Sequence, residues 1–568
     1  MKYSIIFLIA FFSVFTSTNA QKKRDKKAHM EYWDYNHTKI RVKGYYYMFP
    51  SGTVSEMKHG RWTYFTKDGK IEEVQTYHLD KLHGKTTVFY KNEKPKIEGF
   101  FKDGLQDSIY KEYWESGNIK MEGYYNSDTA TGIWKHYYPS GYLMMEEEYV
   151  DTTLFVKNFW GPDSSQLCKD GNGKTMTLYA FGTEKEVYHY KDGLKDGEFY
   201  EKSMYDGITV KGRYKEGLKD GDWEFYFISG VPKLKASYRE GELNGKYTKY
   251  YPGGLIDASG VYENGKKTGE WFWNFKSGKV EMKGNFKEDL MHGHWTYYYE
   301  DSDQISYTAE YEDGKKSGTW KYFYKDGSQY RIGTYKDDKR NGEWKTWYEN
   351  GQLLMVGKYV DDLEEGLWIN YFENGQLKNE GSFEKGKLNG EWKSFWPNGN
   401  PKLEGEYKDN YKVGHWITYA SKNGKKEEEG DYKIVKIKKK IDYGPFKGHE
   451  VEESVKSGHW ITYSQKDFQK TEEGEYKNGK KHGEWIAYYP MGKKPAVISN
   501  YKDGKLHGPM TSYRWGRKGG VSSIVNYKDG LKHGKTQVFD KKGNMISEKT
   551  FKEGLEVIEG GTPGWTPK

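Results

Sequence analysis

Six histidines each stand one residue before a glycine: His59, His83, His292, His482, His507 and His533. Imidazoles recurring in one phase could hold a row of metal ions. Their spacing argues against it. Equivalent positions in successive hairpins lie two strands apart, about 9–10 Å, whereas a shared ion needs each nitrogen at about 2 Å. They read instead as loop residues of a repeat. His292-Gly293-His294 lies at a strand start and is too close for the helical His-x₃-His pattern. The acidic turn Glu300-Asp301-Ser302-Asp303 offers too few oxygens for a hard cation that takes six to eight. No nucleophile elbow, His-Glu-x-x-His, phosphate loop or paired-cysteine motif occurs. Carboxylates are plentiful, but none forms a singled-out acid–base pair. The expectation is a protein without catalytic residues, metal or cofactor.

The glycines after these histidines belong to a longer series. Gly197, Gly221, Gly245, Gly269 and Gly293 recur every 24 residues; Gly318, Gly342, Gly366, Gly390 and Gly414 follow after one step of 25. Gly60, Gly84 and Gly132 precede them, with Ser108 in the same phase, and Gly458, Gly483, Gly508 and Gly534 come after, making 18 register positions. An aromatic residue, most often tryptophan, commonly follows two residues later. A fixed period in this range marks stacked units, each touching its neighbours.

Residues 342–365 show the unit. Gly342 to Glu349 is rich in strand formers, Asn350-Gly351 reads as a two-residue type I′ turn, and Gln352 to Tyr359 returns as a second strand. Val360 to Glu365 then connects to the next hairpin. Equivalent turns fall at Asp68-Gly69, Ser277-Gly278, Asp326-Gly327, Asn374-Gly375, Asn398-Gly399 and Asn423-Gly424. Counting outward from the turn, Tyr348 faces Leu353, Thr346 faces Met355, Trp344 faces Gly357 and Gly342 faces Tyr359. Each large ring would lie across the bare backbone of its paired glycine. Alternation puts Gly342, Trp344, Thr346, Tyr348, Leu353, Met355, Gly357 and Tyr359 on a packing face. The other face carries charges around a central aromatic. Across the units that position holds Phe65, Tyr137, Tyr226, Tyr250, Tyr298, Phe323, Trp347, Tyr371, Phe395, Tyr419, Tyr463 and Tyr488. This column is the candidate binding strip.

Composition agrees with a repeat array. Aromatic residues make up 17%, with 53 Tyr and 20 Trp, which is unlike a disordered chain, and 68 glycines speak against a helical solenoid. A net charge of +8 over 91 basic and 83 acidic side chains describes a mixed surface and not a nucleic-acid footprint. The N-terminus has Lys2, an apolar run from Ile5 to Phe15, and Thr18-Asn19-Ala20 before Gln21, the pattern of a secretory signal peptide cleaved after Ala20. No later segment is apolar enough to span a membrane. The lone Cys168 rules out an internal disulfide, and no cysteine near Ala20 could carry a lipid anchor.

These residues resemble the MORN repeat (membrane occupation and recognition nexus). The pattern reads Gly260-Val-Tyr262-Glu-Asn-Gly265-Lys-Lys-Thr-Gly269-Glu-Trp271, and again Gly474-Glu-Tyr476-Lys-Asn-Gly479-Lys-Lys-His-Gly483-Glu-Trp485. The period and the Trp-x-x-Tyr-Tyr extension are similar to the bacterial variant, many members of which carry an antitoxin-type label. The resemblance covers most of Gly44 to Gly554. It implies an elongated, twisted, open sheet of about 18 stacked antiparallel hairpins, and scaffold functions, with lipid binding suggested for some members.

The expected organisation is a signal peptide over 1–20, a basic segment over 21–43, repeats over 44–149, a divergent unit over 150–185 and repeats over 186–432. An inserted basic loop or hairpin over 433–457, repeats over 458–555 and a flexible tail over 556–568 complete the chain. The functional expectation is an exported, periplasmic or extracellular scaffold that binds a protein partner in the bacterial cell envelope. A glycan or cell-wall ligand is the second reading, an antitoxin or immunity-type binder the third. Membrane lipid is the weakest ligand class, because the charged face carries both signs.

Overall fold

The computed structural model describes residues 25–439, 449–490, 492–517 and 519–557. The expected signal peptide and the tip of the inserted segment lie outside them. The described residues form 45 strands and no helix. They fall into two compact units. One comprises the described residues up to Leu255 with Tyr262–Gly265, the other Ile256–Val261 with the described residues from Lys266 onward. In each, most strands pair antiparallel with the strands before and after them in the chain; Gly60–Phe65 instead pairs with Ile40–Met48 and Ile71–His78.

The unit containing residues 339–371 shows how the sequence builds this. Lys339–Trp347, Leu353–Val360 and Leu363–Tyr371 are consecutive strands. Gly342 pairs with Tyr359, Trp344 with Gly357 and Thr346 with Met355, as the sequence count requires. The turn itself is different. Gly351 N–H donates to the Tyr348 carbonyl and Tyr348 N–H to the Gln352 carbonyl, so the loop has three residues. Gly351 has a positive φ of 82°, and Asn350 is not among the positive-φ residues. This is a type I turn followed by a left-handed glycine, not a type I′ turn. Tyr348 therefore does not face Leu353; Trp347 does, and a register shift follows it. The shift restores the predicted pairing farther out.

The type I′ turn is instead the connection between hairpins. Asp361 and Asp362 both have positive φ, 49° and 71°, and join Val360 directly to Leu363. The expected linker from Val360 to Glu365 is therefore a second, tighter hairpin. Three residues farther on, Gly366 has φ 70°, and a Cβ there would meet nothing within 4 Å. The register glycine is thus required by a left-handed bulge, not by a ring lying over it. Ser108, which replaces it once, takes the same conformation, φ 66°.

The core is one face of the sheet. Trp344 is 3% exposed and Trp368 5%. Each indole covers a glycine, but not its paired one: a Cβ on Gly333 would lie 2.1 Å from the Trp344 ring and one on Gly357 2.1 Å from Trp368. The tryptophan thus reaches back onto the preceding hairpin. Its Nε1–H donates to the carbonyl after that glycine, Trp344 to Thr334 (3.2 Å) and Trp368 to Lys358 (3.2 Å), where the bulge interrupts the ladder. Tyr335, Trp344, Tyr359 and Trp368 alternate edge to face, with centroids 4.8–6.0 Å apart. Lysines close the layer: Nζ of Lys456 lies 3.9 Å from the Trp460 ring and that of Lys481 3.8 Å from Trp485.

Two segments break the period. Between Thr153–Trp160 and Asn172–Leu178 the chain inserts the four-residue strand Gln166–Lys169. Val156, Phe159 and Cys168 form a small buried cluster there, and burial pushes the Cys168 thiol up. The inserted segment is an extended hairpin, Lys426–Lys439 paired with His449–Tyr463. Lys436 lies opposite Glu452, so part of the basic run is balanced across the strands. At the other end, Lys26–Tyr32 pairs with Ile40–Met48, so a hairpin begins inside the basic segment read over 21–43 and runs past it.

Candidate functional site

The central aromatic column lies on the face opposite the packed aromatic layer, because each member is three residues from a ring of that layer, a Trp in every case but Tyr247 before Tyr250, along an alternating strand. Every one is half-buried: Phe65, Tyr137, Tyr226 and Tyr250 in the first unit; Tyr298, Phe323, Trp347, Tyr371, Phe395, Tyr419, Tyr463 and Tyr488 in the second.

What surrounds these rings was not read from the sequence. Glu98, Glu122, Glu404, Glu429 and Glu473 each precede a glycine in one phase, and that Glu-Gly dipeptide is the signal that could have found them. Their carboxylates accept the phenols of this face. Tyr113 donates to Glu98 (3.0 Å), Tyr137 to Glu122 (2.8 Å), and Tyr419, Tyr463 and Tyr488 to Glu404, Glu429 and Glu473. In each case the phenol belongs to the following hairpin, so the bond ties neighbours. Lysines complete the network, as in Lys111–Glu122 (3.0 Å) and Lys470–Glu473 (2.8 Å). Burial, then the carboxylate, raises the Tyr137 and Tyr488 phenols to about 12. Burial alone would raise Glu473. Hydrogen bonds from Lys470, Tyr488 and His459 outweigh it and hold the carboxyl at about 2.

Because that value is depressed, the stabilisation is complete above the ordinary carboxyl pKa of 4.5 and is lost as pH falls toward 2. Glu473→Gln is therefore expected to lower stability by about 1 kcal/mol at neutral pH, and to make it less sensitive to acid between those two values. Urea unfolding at pH 7 and pH 3 measures this; equal acid sensitivity of variant and parent would contradict it.

Several hairpins lack this Glu, among them two consecutive ones in the second unit. Lys321, Ile332, Lys345, Val356, Ile369 and Glu380 follow each other across successive strands. Where the hairpins of Glu98, Glu122, Glu404, Glu429 and Glu473 place a carboxylate, this row places Ile332 and Val356, beside Phe323, Trp347 and Tyr371. All five are half-buried. The result is a segment of aromatic and aliphatic side chains, with Lys321 and Lys345 beside it, within a charged face.

The histidines before the register glycines do something else. His83 Nδ1 lies 3.3 Å from Asp103, and His507 Nδ1 3.3 Å from Asp529, each Asp on the connecting turn of the next repeat. Among the described residues no group of His, Cys, Asp and Glu could hold a metal. The acidic turn is occupied by lysines from neighbouring tips: Asp301 pairs with Lys325 (2.7 Å) and Asp303 with Lys279 (3.4 Å). Among the described residues no helix is long and apolar enough to cross a membrane.

Residues 58–78, 82–103, 106–127, 130–151, 267–288, 340–361, 364–385 and 388–409 match the family described as MORN repeat variant. Each match spans one hairpin. No curated protein matches the chain. Solved structures similar to it include the crystal structure of TcdB2-TccC3, 9% identical over 94% of this chain and 32% of that chain, TM-score 0.10. The same complex without its hypervariable C-terminal region is 8% identical over 93% and 35%, TM-score 0.12. A Tc holotoxin pore of Photorhabdus luminescens is 9% identical over 91% and 32%, TM-score 0.11. The chain spans about a third of the length of these chains.

Proposed function

We propose that this chain, built from MORN repeats of the variant type, is an exported, non-catalytic scaffold that holds a protein partner along its charged face. The aromatic and aliphatic segment at Phe323, Ile332, Trp347, Val356 and Tyr371 carries this reading. At Tyr137, Tyr419, Tyr463 and Tyr488 on that face the rings are tied to carboxylates of the preceding hairpin. Here rigid aromatics and branched aliphatics stand half-open with Lys321 and Lys345 beside them, the composition of an interface centre with a polar rim. A repeat surface supplies length and shallow relief rather than the deep cleft that catalysis needs. Export rests on the Lys2 to Ala20 pattern, and mass spectrometry of the native protein is expected to find Gln21 at its N-terminus; an intact Met1 would remove that part of the reading.

The binding test is a pull-down from envelope extract beside a glycan array. Alanine at Trp347, Tyr371 and Phe395 together is expected to weaken capture at least tenfold, about 1.4 kcal/mol, while β-sheet circular dichroism is retained. Undiminished capture by the triple variant would move the partner site off this face, and a hit only on the glycan array would replace a protein ligand with a sugar.

A further inference from the structure

The three-residue turns of the first unit form a second surface, on an edge of the sheet and not on a face. Six consecutive turns lie between residues 138 and 255. They have one geometry: Gly141 N–H donates to the Tyr138 carbonyl, Ser164 to Gly161, Gly182 to Tyr179, Asp206 to Ser203, Gly230 to Phe227 and Gly254 to Tyr251. Side chains bind them to one another. Tyr138 donates to the Trp160 carbonyl (2.8 Å), and Tyr179 to that of Lys202 (2.7 Å). The tips therefore stand in a row at roughly 9–10 Å steps.

What they present is apolar. Tyr142 is 68% exposed, Phe181 62%, Tyr205 77% and Ile228 73%, with Met204 and Leu255 about half exposed. The turns 138–142, 179–183, 227–231 and 251–255 contain no charged residue. Asp206 is neutralised by Lys202 at 2.9 Å. Most turns of the second unit differ in kind: Lys276, Asp301, Asp326, Glu349, Glu373 and Lys422 occupy the equivalent loops. Apolar tips are not a requirement of the repeat, because the charged versions fold with the same turn.

We propose that this ridge is the contact between two copies of the chain. A self-contact must be compatible with itself, since each side chain meets the same patch. Beyond the Lys202–Asp206 pair the ridge carries only Asp163, too little charge to repel its own copy, and the spaces between tips can take the partner's tips. At 150–250 Å² for a large side chain, these six expose on the order of 800 Å², close to the roughly 800 Å² per partner of a stable interface. The charge pattern argues against an anionic bilayer, because no cation stands on these tips to meet its headgroups.

Sedimentation velocity of the full chain at about 50 µM, well above the concentrations at which such interfaces form, is expected to show a dimer. Tyr205→Lys with Ile228→Lys is expected to give a monomer of unchanged circular dichroism. Trp515→Lys, at an exposed ring in the other unit, is expected to remain dimeric. If the double lysine variant loses its β-sheet signal, Tyr205→Ser with Ile228→Thr provides the same comparison. A monomeric parent chain, or a folded double variant that stays dimeric, overturns the proposal. So does a monomer that cofloats with phosphatidylethanolamine–phosphatidylglycerol vesicles, which would assign the ridge to lipid.

Discussion

Trp368→Ala is expected to destabilise its own and the adjoining hairpins by about 3–5 kcal/mol, the cost of emptying a buried indole site. The ring is 5% exposed, lies against Gly357 of the preceding hairpin and donates to the Lys358 carbonyl. Removing it opens a cavity, bares a glycine backbone and leaves a carbonyl without its donor. Trp347→Ala makes the contrast. That ring is half-buried on the charged face, so its loss is expected to cost about 1–2 kcal/mol. Because stability in a repeat array is a sum of local terms, hydrogen exchange by mass spectrometry is the measurement. Faster exchange should appear in peptides over residues 340–385 for Trp368→Ala and remain small for Trp347→Ala. Equal effects would mean that the two faces are not energetically distinct.

The second large effect comes from a single methyl group. Gly357→Ala is expected to cost about 2–3 kcal/mol, at the upper end of overpacking, because its Cβ would lie 2.1 Å from the Trp368 ring. The indole must leave, and its hydrogen bond goes with it. Gly366→Ala, nine residues on, has open space around the new methyl but a positive φ of 70°, so backbone strain alone operates, about 1–2 kcal/mol. Pairing Gly357→Ala with Trp368→Ala distinguishes the mechanisms. Once the ring is gone the methyl is expected to cost nearly nothing more, a non-additivity that only a direct contact produces. Full additivity in hydrogen exchange would contradict the ring-over-glycine arrangement.

Much of this fold was legible because its signals are local and repeated. The 24-residue period, the absence of helix and the alternation that separates Trp344 from Trp347 follow from residue type and spacing. So do the pairs Gly342–Tyr359 and Trp344–Gly357. The candidate strip was legible as positions, since period-two alternation assigns Phe65 to Tyr488 to one face. Which of those rings stand beside carboxylates was not read, although the Glu-Gly dipeptide marked them. The Lys-x-Gly-x-Trp run, as in Lys456-Ser-Gly458-His-Trp460, likewise announced the ammonium that closes over the indole.

Other features depended on contacts between hairpins. Asn350-Gly351 suits either a type I′ turn or a type I turn with a left-handed glycine. The latter is adopted, with Asn350 Nδ2–H reaching the Glu373 carbonyl of the next tip (3.1 Å) while its Oδ1 accepts from Gln352 N–H (2.9 Å). The type I′ turn went to Asp361-Asp362, where the second carboxylate accepts Arg340 N–H at the start of the strand Lys339–Trp347 (2.9 Å). Trp344 pairs with Gly357 yet covers Gly333, because the bulge at each register glycine leaves a carbonyl that the indole N–H satisfies. Sequence by itself therefore determined the repeat, the strands, their outer register and the two faces, all properties of one hairpin. Tertiary structure decided the turn types, the glycine under each ring and the partner of each phenol, because those groups are satisfied only by the neighbouring hairpin.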